Sequence, residues 1–210
     1  MDYRQQPLMR YLDDAAAAQP TPGGGSLAAM AAALASTMAS MAAGFTAGKE
    51  KFKAVEPEIQ AALTRLAGLR GALLDMAHED MNAYEAVMAA YRLPKATDAE
   101  KVARAEAVRK AAKSSLGLVM RVLEACRDVT AASRRLAEIA NPNLLSDVAV
   151  AAELALGAAR AARVNVAVNL SGYSDAADAT AIRAAADKAV AETERLAVET
   201  RDIVMKNLSK

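Results

Sequence analysis

Residues 20–45 read PTPGGGSLAAMAAALASTMASMAAGF. Two prolines and three glycines precede a run made almost wholly of alanine, methionine and small hydroxyl side chains. Proline locks its own φ and biases the residue before it, whereas glycine opens backbone conformations closed to other residues. Together they end one helix and begin another. Alanine is the best helix former, and its small side chain lets helix axes approach closely. Ser36, Thr37 and Ser40 interrupt the run, and alanine rather than leucine dominates it. It therefore predicts a buried helix rather than a membrane span, which takes about 18 or more consecutive apolar residues. Ser26 is the expected N-cap of this helix, which should end near Ala47 and follow a first helix over about Asp2 to Ala18.

The rest of the 210-residue chain is of the same kind: 54% hydrophobic, 3% aromatic, without tryptophan. An all-α fold follows, in a single domain spanning residues 1–210. Lys and Arg number 26 against 25 Asp and Glu. That balance lacks the basic stripe of a nucleic-acid binder. The lone Cys126 excludes an intrachain disulfide framework or a cysteine metal cluster, and it lies on an apolar stripe as inert core. The start, MDYRQQPLMR, has no signal-peptide core. A cytoplasmic protein with no membrane or nucleic-acid partner is expected.

Apolar residues at steps of three and four predict a long helix from about Val55 to Pro94, through Ile59, Leu63, Leu66, Leu69, Leu73 and Met76 to Tyr84, Val87, Met88 and Tyr91. Pro57 is tolerated in its first turn. Thr97 with Glu100 forms a capping box for the next helix, whose buried face should run from Val102, Ala105, Val108 and Ala112 to Leu136. Pro142 interrupts again. An alanine-rich helix covers about Leu144 to Leu170, and a last one follows Gly172 and Asp175. No segment alternates like a strand. The reading is an up-and-down antiparallel bundle of about six helices. Its uncovered faces of small residues point to a helical homodimer.

Several polar residues stand where apolar ones belong. Asp80 falls on the inward stripe, where a carboxylate is costly unless paired, protonated or used. An arginine partner from a neighbouring helix and a functional role are both open readings. His78, the only histidine, diverges from Asp80 around the helix and should be exposed. Asn141-Pro142-Asn143-Leu144-Leu145-Ser146-Asp147 reads as a turn and cap that leaves Asp147 over for chemistry. Asn165 and Asn169, four apart, share one face of an Ala/Val helix, to bridge helices or hold a ligand. Asp147 and Asn165 also share a face but lie roughly 27 Å apart, so one small ligand reaches both only if a partner subunit brings opposite ends together. Lys95 follows a stiff Leu93-Pro94 turn and is otherwise an ordinary loop lysine.

PTPGGGSLAAMAAALASTMASM, EDMNAYEAVMAAYRLPKAT (residues 79–97), NPNLLSDVAVAA (141–152) and NVAVNL (165–170) together resemble the formiminotransferase-cyclodeaminase / methenyltetrahydrofolate cyclohydrolase family, in the same order from about Tyr11 to Leu170. The resemblance implies an all-helical dimer acting on one-carbon units of tetrahydrofolate, without metal or covalently bound cofactor. The chain is too short for an added formiminotransferase domain and looks most like the stand-alone bacterial methenyltetrahydrofolate cyclohydrolases. Opening the cationic N5–CH–N10 amidinium needs a water aimed at carbon, a base for its proton and an acid for N5. The resemblance makes Asp80 the choice for base and electrostatic partner. It leaves Asp147, Lys95, Asn143, Asn165 and Asn169 to orient the pterin or shuttle a proton. Pro22, Gly23, Gly24, Gly25 and Ser26 are read as a folate-binding segment, with glycines free to take φ > 0 beside a flat ligand and amides at a helix start. Cyclodeamination of 5-formiminotetrahydrofolate, or folate binding without turnover, would use the same scaffold.

Overall fold

The computed structural model of the chain describes residues 2–171, 173 and 175–208. Among these are six α-helices and no strand: α1 Leu8–Ala16, α2 Gly24–Gly44, α3 Glu56–Arg92, α4 Asp98–Ile139, α5 Leu145–Leu170 and α6 Ala176–Leu208. Gly172, expected between the last two helices, lies outside the described residues. The all-α expectation holds, with one change at the start. Pro7, which lacks an N–H and cannot continue a helix, separates a 3-10 turn at Tyr3–Gln5 from the short α1.

Alanine sets the packing. α2 and α5 bury small side chains such as Ala29, Ala32, Ala39, Ala151, Ala155 and Ala159. Larger residues, among them Leu66, Leu73, Leu123 and Val129, fill the space between layers. α2 packs mainly on α3 and α5, with α4 behind, while α3 and α5 have little packing on each other among the described residues. α2 runs antiparallel to both neighbours: Ser36 Oγ donates to the Leu66 carbonyl at 2.8 Å, and the Asn141 N–H donates to Thr46 Oγ1 at 2.9 Å. By length and composition α2 could cross a membrane, yet half of it is buried inside the bundle. The Thr97 capping box is present. Thr97 Oγ1 accepts the Glu100 N–H at 3.2 Å, and the Glu100 carboxylate accepts the Thr97 N–H at 2.8 Å.

The buried faces depart from the sequence reading at one end of the bundle. Tyr84, Tyr91 and Val102 are 40%, 47% and 70% exposed, and burial on α4 starts only at Leu116. The cause is a difference in helix length. α2 begins at Gly24, level with Asp80 of α3 and Asn165 of α5, whereas α3 runs twelve residues past Asp80 and α5 five past Asn165. Beyond the start of α2 the slot between α3 and α5 stays open, and the apolar stripes become its walls.

Candidate active site

The segment before α2 ends on a cis Thr21–Pro22 bond, with Pro22 buried. Gly23 is the N-cap, so Ser26 is not a cap as expected but sits inside the first turn, fully buried. Nor do these glycines use positive φ. Gly23 has φ −111°, and the one glycine with positive φ among the described residues is Gly48, at 70° in the turn after α2.

What the glycines provide is room. A Cβ added to Gly25 would lie 2.1 Å from Asp80 Oδ1, and one on Gly24 would lie 3.3 Å from Asn165 Oδ1. Glycine in a helix costs about 1 kcal/mol against alanine. Here alanine at position 25 would occupy the carboxylate's place.

Asp80 therefore rests against bare backbone, and its Oδ2 accepts the Ser26 N–H at 2.9 Å. An intrahelical bond first forms at Leu27, so the Ser26 amide is one of the orphan donors of a helix start, and the carboxylate sits at the positive end of α2. No arginine or lysine pairs with Asp80 among the described residues, so the salt-bridge alternative is set aside. Burial pushes its carboxyl above the usual carboxylate range, and the Ser26 amide pulls it partly back. A half-buried carboxyl raised in this way holds a proton more readily than an exposed one and can take one up and return it.

Behind the carboxylate, Tyr11 is 2% exposed and its hydroxyl lies 3.1 Å from Ser26 Oγ. The Tyr3 ring packs edge-on against Tyr11 at 5.3 Å. Tyr11 was not singled out from the sequence. The signal was there in scarcity: of only five tyrosines, Tyr3 and Tyr11 lie behind Ser26, Tyr84 is one turn beyond Asp80, and Tyr91 and Tyr173 line the open slot. His78, expected to be exposed, is half-buried, and its Nδ1 is shielded within a small crevice beside Tyr11 and Met30.

Asn165 and Asn169 share a face but do different work. Asn165 stands over Gly24 and donates to the Ala161 carbonyl at 3.1 Å. Asn169 donates to Ser115 Oγ at 3.1 Å, bridging α5 to α4 at the edge of a cavity of about 640 Å³. Ser115 is a second residue the sequence did not flag. Lys95 is exposed in the loop after α3.

Asn143 and Asp147 lie at the opposite end of the bundle. The Asn141 side chain accepts the Asn143 N–H at 3.2 Å, which is the turn-and-cap role read from the sequence. Asn143 is exposed, and Asp147 occupies the first turn of α5. One chain thus gathers Gly23–Gly25, Ser26, Asp80 and Asn165, with Asn169 a turn away, and leaves out Lys95, Asn143 and Asp147. Among the described residues no three His, Cys, Asp or Glu side chains cluster as metal ligands. Cys126 is buried core, its thiol pushed up to about 12 by burial.

A methenyltetrahydrofolate cyclohydrolase from Methylorubrum extorquens is 38% identical over 189 residues, covering 90% of this chain and 88% of that protein. The formimidoyltransferase-cyclodeaminase of Rattus norvegicus is 28% identical over 168 residues, and the match spans 31% of its length. The crystal structure of a formiminotetrahydrofolate cyclodeaminase from Thermotoga maritima superposes with a TM-score of 0.87 at 29% identity, covering 97% of this chain and 98% of that one. Residues 7–188 match the sequence profile of formiminotransferase-cyclodeaminase, and the chain belongs to that family.

Proposed function

We propose that this protein is a hydrolase that opens 5,10-methenyltetrahydrofolate to 10-formyltetrahydrofolate, with Asp80 as base and electrostatic partner of the amidinium. The reading is supported by the carboxylate held half-buried on the bare backbone of Gly25, with no cationic partner among the described residues, two helical turns short of an open cavity. The cationic N5–CH–N10 unit supplies the missing positive charge. Asp80 takes a proton from a water as its oxygen bonds to the bridging carbon. The adduct then loses its hydroxyl proton while the C–N5 bond breaks and N5 takes a proton, leaving the formyl group on N10. One proton is released per turnover. Positioning of charge and water, rather than new covalent chemistry with the enzyme, carries the rate.

The mechanism leaves a role for a second acid or an orienting group, and the partner subunit can supply it. α2 exposes Leu27 and Leu34, with Phe45 just past its end, and α5 exposes Val150, Leu154 and Val164. Pairing two copies through these faces buries both apolar stripes. It can also carry Asp147 and Asn143 of one copy toward Asp80 of the other, across the roughly 27 Å that separate Asp147 from Asn165 within a chain. Lys95 serves at the outer rim. A cytoplasmic location accords with a soluble folate enzyme.

The similarity to the Thermotoga maritima protein favours one second reading, cyclodeamination of 5-formiminotetrahydrofolate. The absorbance of the methenyl chromophore separates the two. The hydrolase reading predicts loss of added methenyltetrahydrofolate well above the buffer rate. Formation of that chromophore from the formimino substrate, without accelerated hydrolysis, would replace it with the second reading.

A further inference from the structure

The cavity left beyond the start of α2 has no part in the proton transfers above, and its chemistry points to a ligand. It is bounded by α3, α4 and α5, and about 640 Å³ falls within the 300–1,000 Å³ usual for small-molecule sites. Its wall begins one turn beyond Asn165 on α5, at Asn169, and two turns beyond Asp80 on α3, at Val87, about 10 Å along the helix. Val87, Val102, Val108 and Val168 give it an aliphatic interior, and Tyr91 adds a flat one. Tyr91 is held in place by Arg104, whose guanidinium lies 5.5 Å above its ring and donates to its carbonyl at 3.1 Å.

We infer that this cavity takes the aminobenzoyl-glutamate arm of the folate, ring against Tyr91 and the valines, glutamyl carboxylates toward Arg109. The inference rests on the folate reading of the Asp80 site and adds the orientation of the substrate within it. N10 belongs to both the amidinium and the aminobenzoyl group, so a reacting carbon near Asp80 leaves the aminobenzoyl-glutamate arm to extend away from it, over the two helical turns that lead to the cavity.

The pterin is the wrong shape of chemistry for this space. Its pyrimidinone edge needs several buried hydrogen-bond partners, and unpaired polar edges are costly. The polar side chains that line the cavity are already engaged: Ser115 with Asn169, Arg109 with Glu106, Tyr173 with Asp178 and Ser171 with the Val168 carbonyl. The benzoyl ring has no such edge.

Arg109 suits the tail. It pairs with Glu106 at 2.6 Å one turn away on the same helix, with both side chains more than half exposed. Glu106 already takes two bonds from that guanidinium, at 3.0 and 2.6 Å, but the pair stands in solvent where screening weakens it, so a ligand carboxylate anchored by the cavity can exchange with Glu106 at the same two donors.

The test uses p-aminobenzoyl-glutamate as a fragment, followed by NMR titration of the intact protein. Wild type binds it, with shifts at Tyr91 and Val168, and Asp80→Asn binds it equally well, which separates this inference from the catalytic one. Arg109→Ala weakens the fragment about tenfold, while p-aminobenzamide, which lacks the glutamate, is unaffected. Ala112→Trp fills the cavity, removes fragment binding and raises KM for methenyltetrahydrofolate; if it fails to fold, the Arg109→Ala comparison decides alone. Absence of fragment binding to wild type overturns the inference. So does binding that Arg109→Ala leaves unchanged, or a tetrahydropterin fragment that shifts the cavity residues instead.

Discussion

The two ends of the bundle each hold an acid that the sequence marks out, and they are built on opposite principles. At the start of α2, Asp80 comes from a neighbouring helix and is pressed onto backbone from which side chains have been removed. Its environment holds the carboxyl above its usual range. At the far end, Asp147 belongs to the first turn of its own helix, beside an Asn141 cap that uses up the local polar groups. The second end closes the 3-10 turn at Pro142–Leu144 with a short-range bond and gives the start of α5 no side-chain cap. The first satisfies a helix start with a long-range carboxylate, two helical turns from the open slot between α3 and α5. The first arrangement puts an acid where burial raises its carboxyl above the usual range.

Replacing the two acids gives the largest expected contrast. Asp80→Asn keeps the shape and can still accept the Ser26 amide, but it removes the base. We expect turnover of methenyltetrahydrofolate to fall by about 10²–10⁴. Stability should move the other way. A carboxyl whose folded pKa is raised adds stability that is fully present below its unfolded value and lost as pH rises through the folded one. Asp80→Asn should therefore melt at or above the wild-type temperature at pH 7, with the gain fading below pH ~4. A melting temperature that drops sharply would make Asp80 a structural cap instead.

The contribution of Asp147 is sharpened by mixing chains. Asp80→Asn and Asp147→Asn are each expected to be impaired as pure samples. Co-refolded hybrids should regain activity, because one of their two sites is then fully wild type. Hybrids no better than the average of the parents would confine the site to one chain and end the partner's role. The proposed pairing predicts that wild type sediments as a dimer and that Leu34→Glu, on the exposed face of α2, sediments as a monomer with lower activity; a monomeric wild type would end the pairing.

The glycines form a graded series at the same end. Gly25→Ala must displace Asp80 and should cost nearly as much activity as Asp80→Asn. Gly24→Ala meets Asn165 at 3.3 Å and calls for a shift of a few tenths of an ångström, with a severalfold loss at most. Gly23→Ala approaches only the Pro20 carbonyl at 3.6 Å and should change little. Steady-state kinetics on the three variants, with helicity followed by circular dichroism, checks the order. Equal losses at all three would return the segment to a simple turn.

Much of this was legible in the sequence because it depends on spacing within one helix. The inward position of Asp80 follows from Leu73, seven residues earlier, and the start of α4 from Thr97 and Glu100. The separation of Asp147 from Asn165 needs only the rise of a helix. What was not legible depends on where one helix stops relative to its neighbours. Tyr84, Tyr91 and Val102 continue apolar stripes that periodicity assigns to the core, and only the register of α2 against α3 and α5 turns them into cavity walls. The three glycines were read as freedom of φ, but their use is the absence of Cβ opposite a specific carboxylate, a fact about two distant segments. Ser26 had the composition of a cap but was needed inside the first turn, where Tyr11 reaches its hydroxyl.

The role of Asp80 as base is tested most directly by the pH dependence of kcat/KM for methenyltetrahydrofolate hydrolysis, measured on wild type and Asp80→Asn. Wild type should gain activity as pH rises through a single ionisation above the ordinary carboxylate value of about 3.9, and the residual activity of the variant should lack that limb. The same limb persisting in Asp80→Asn would contradict the assignment and move the base elsewhere.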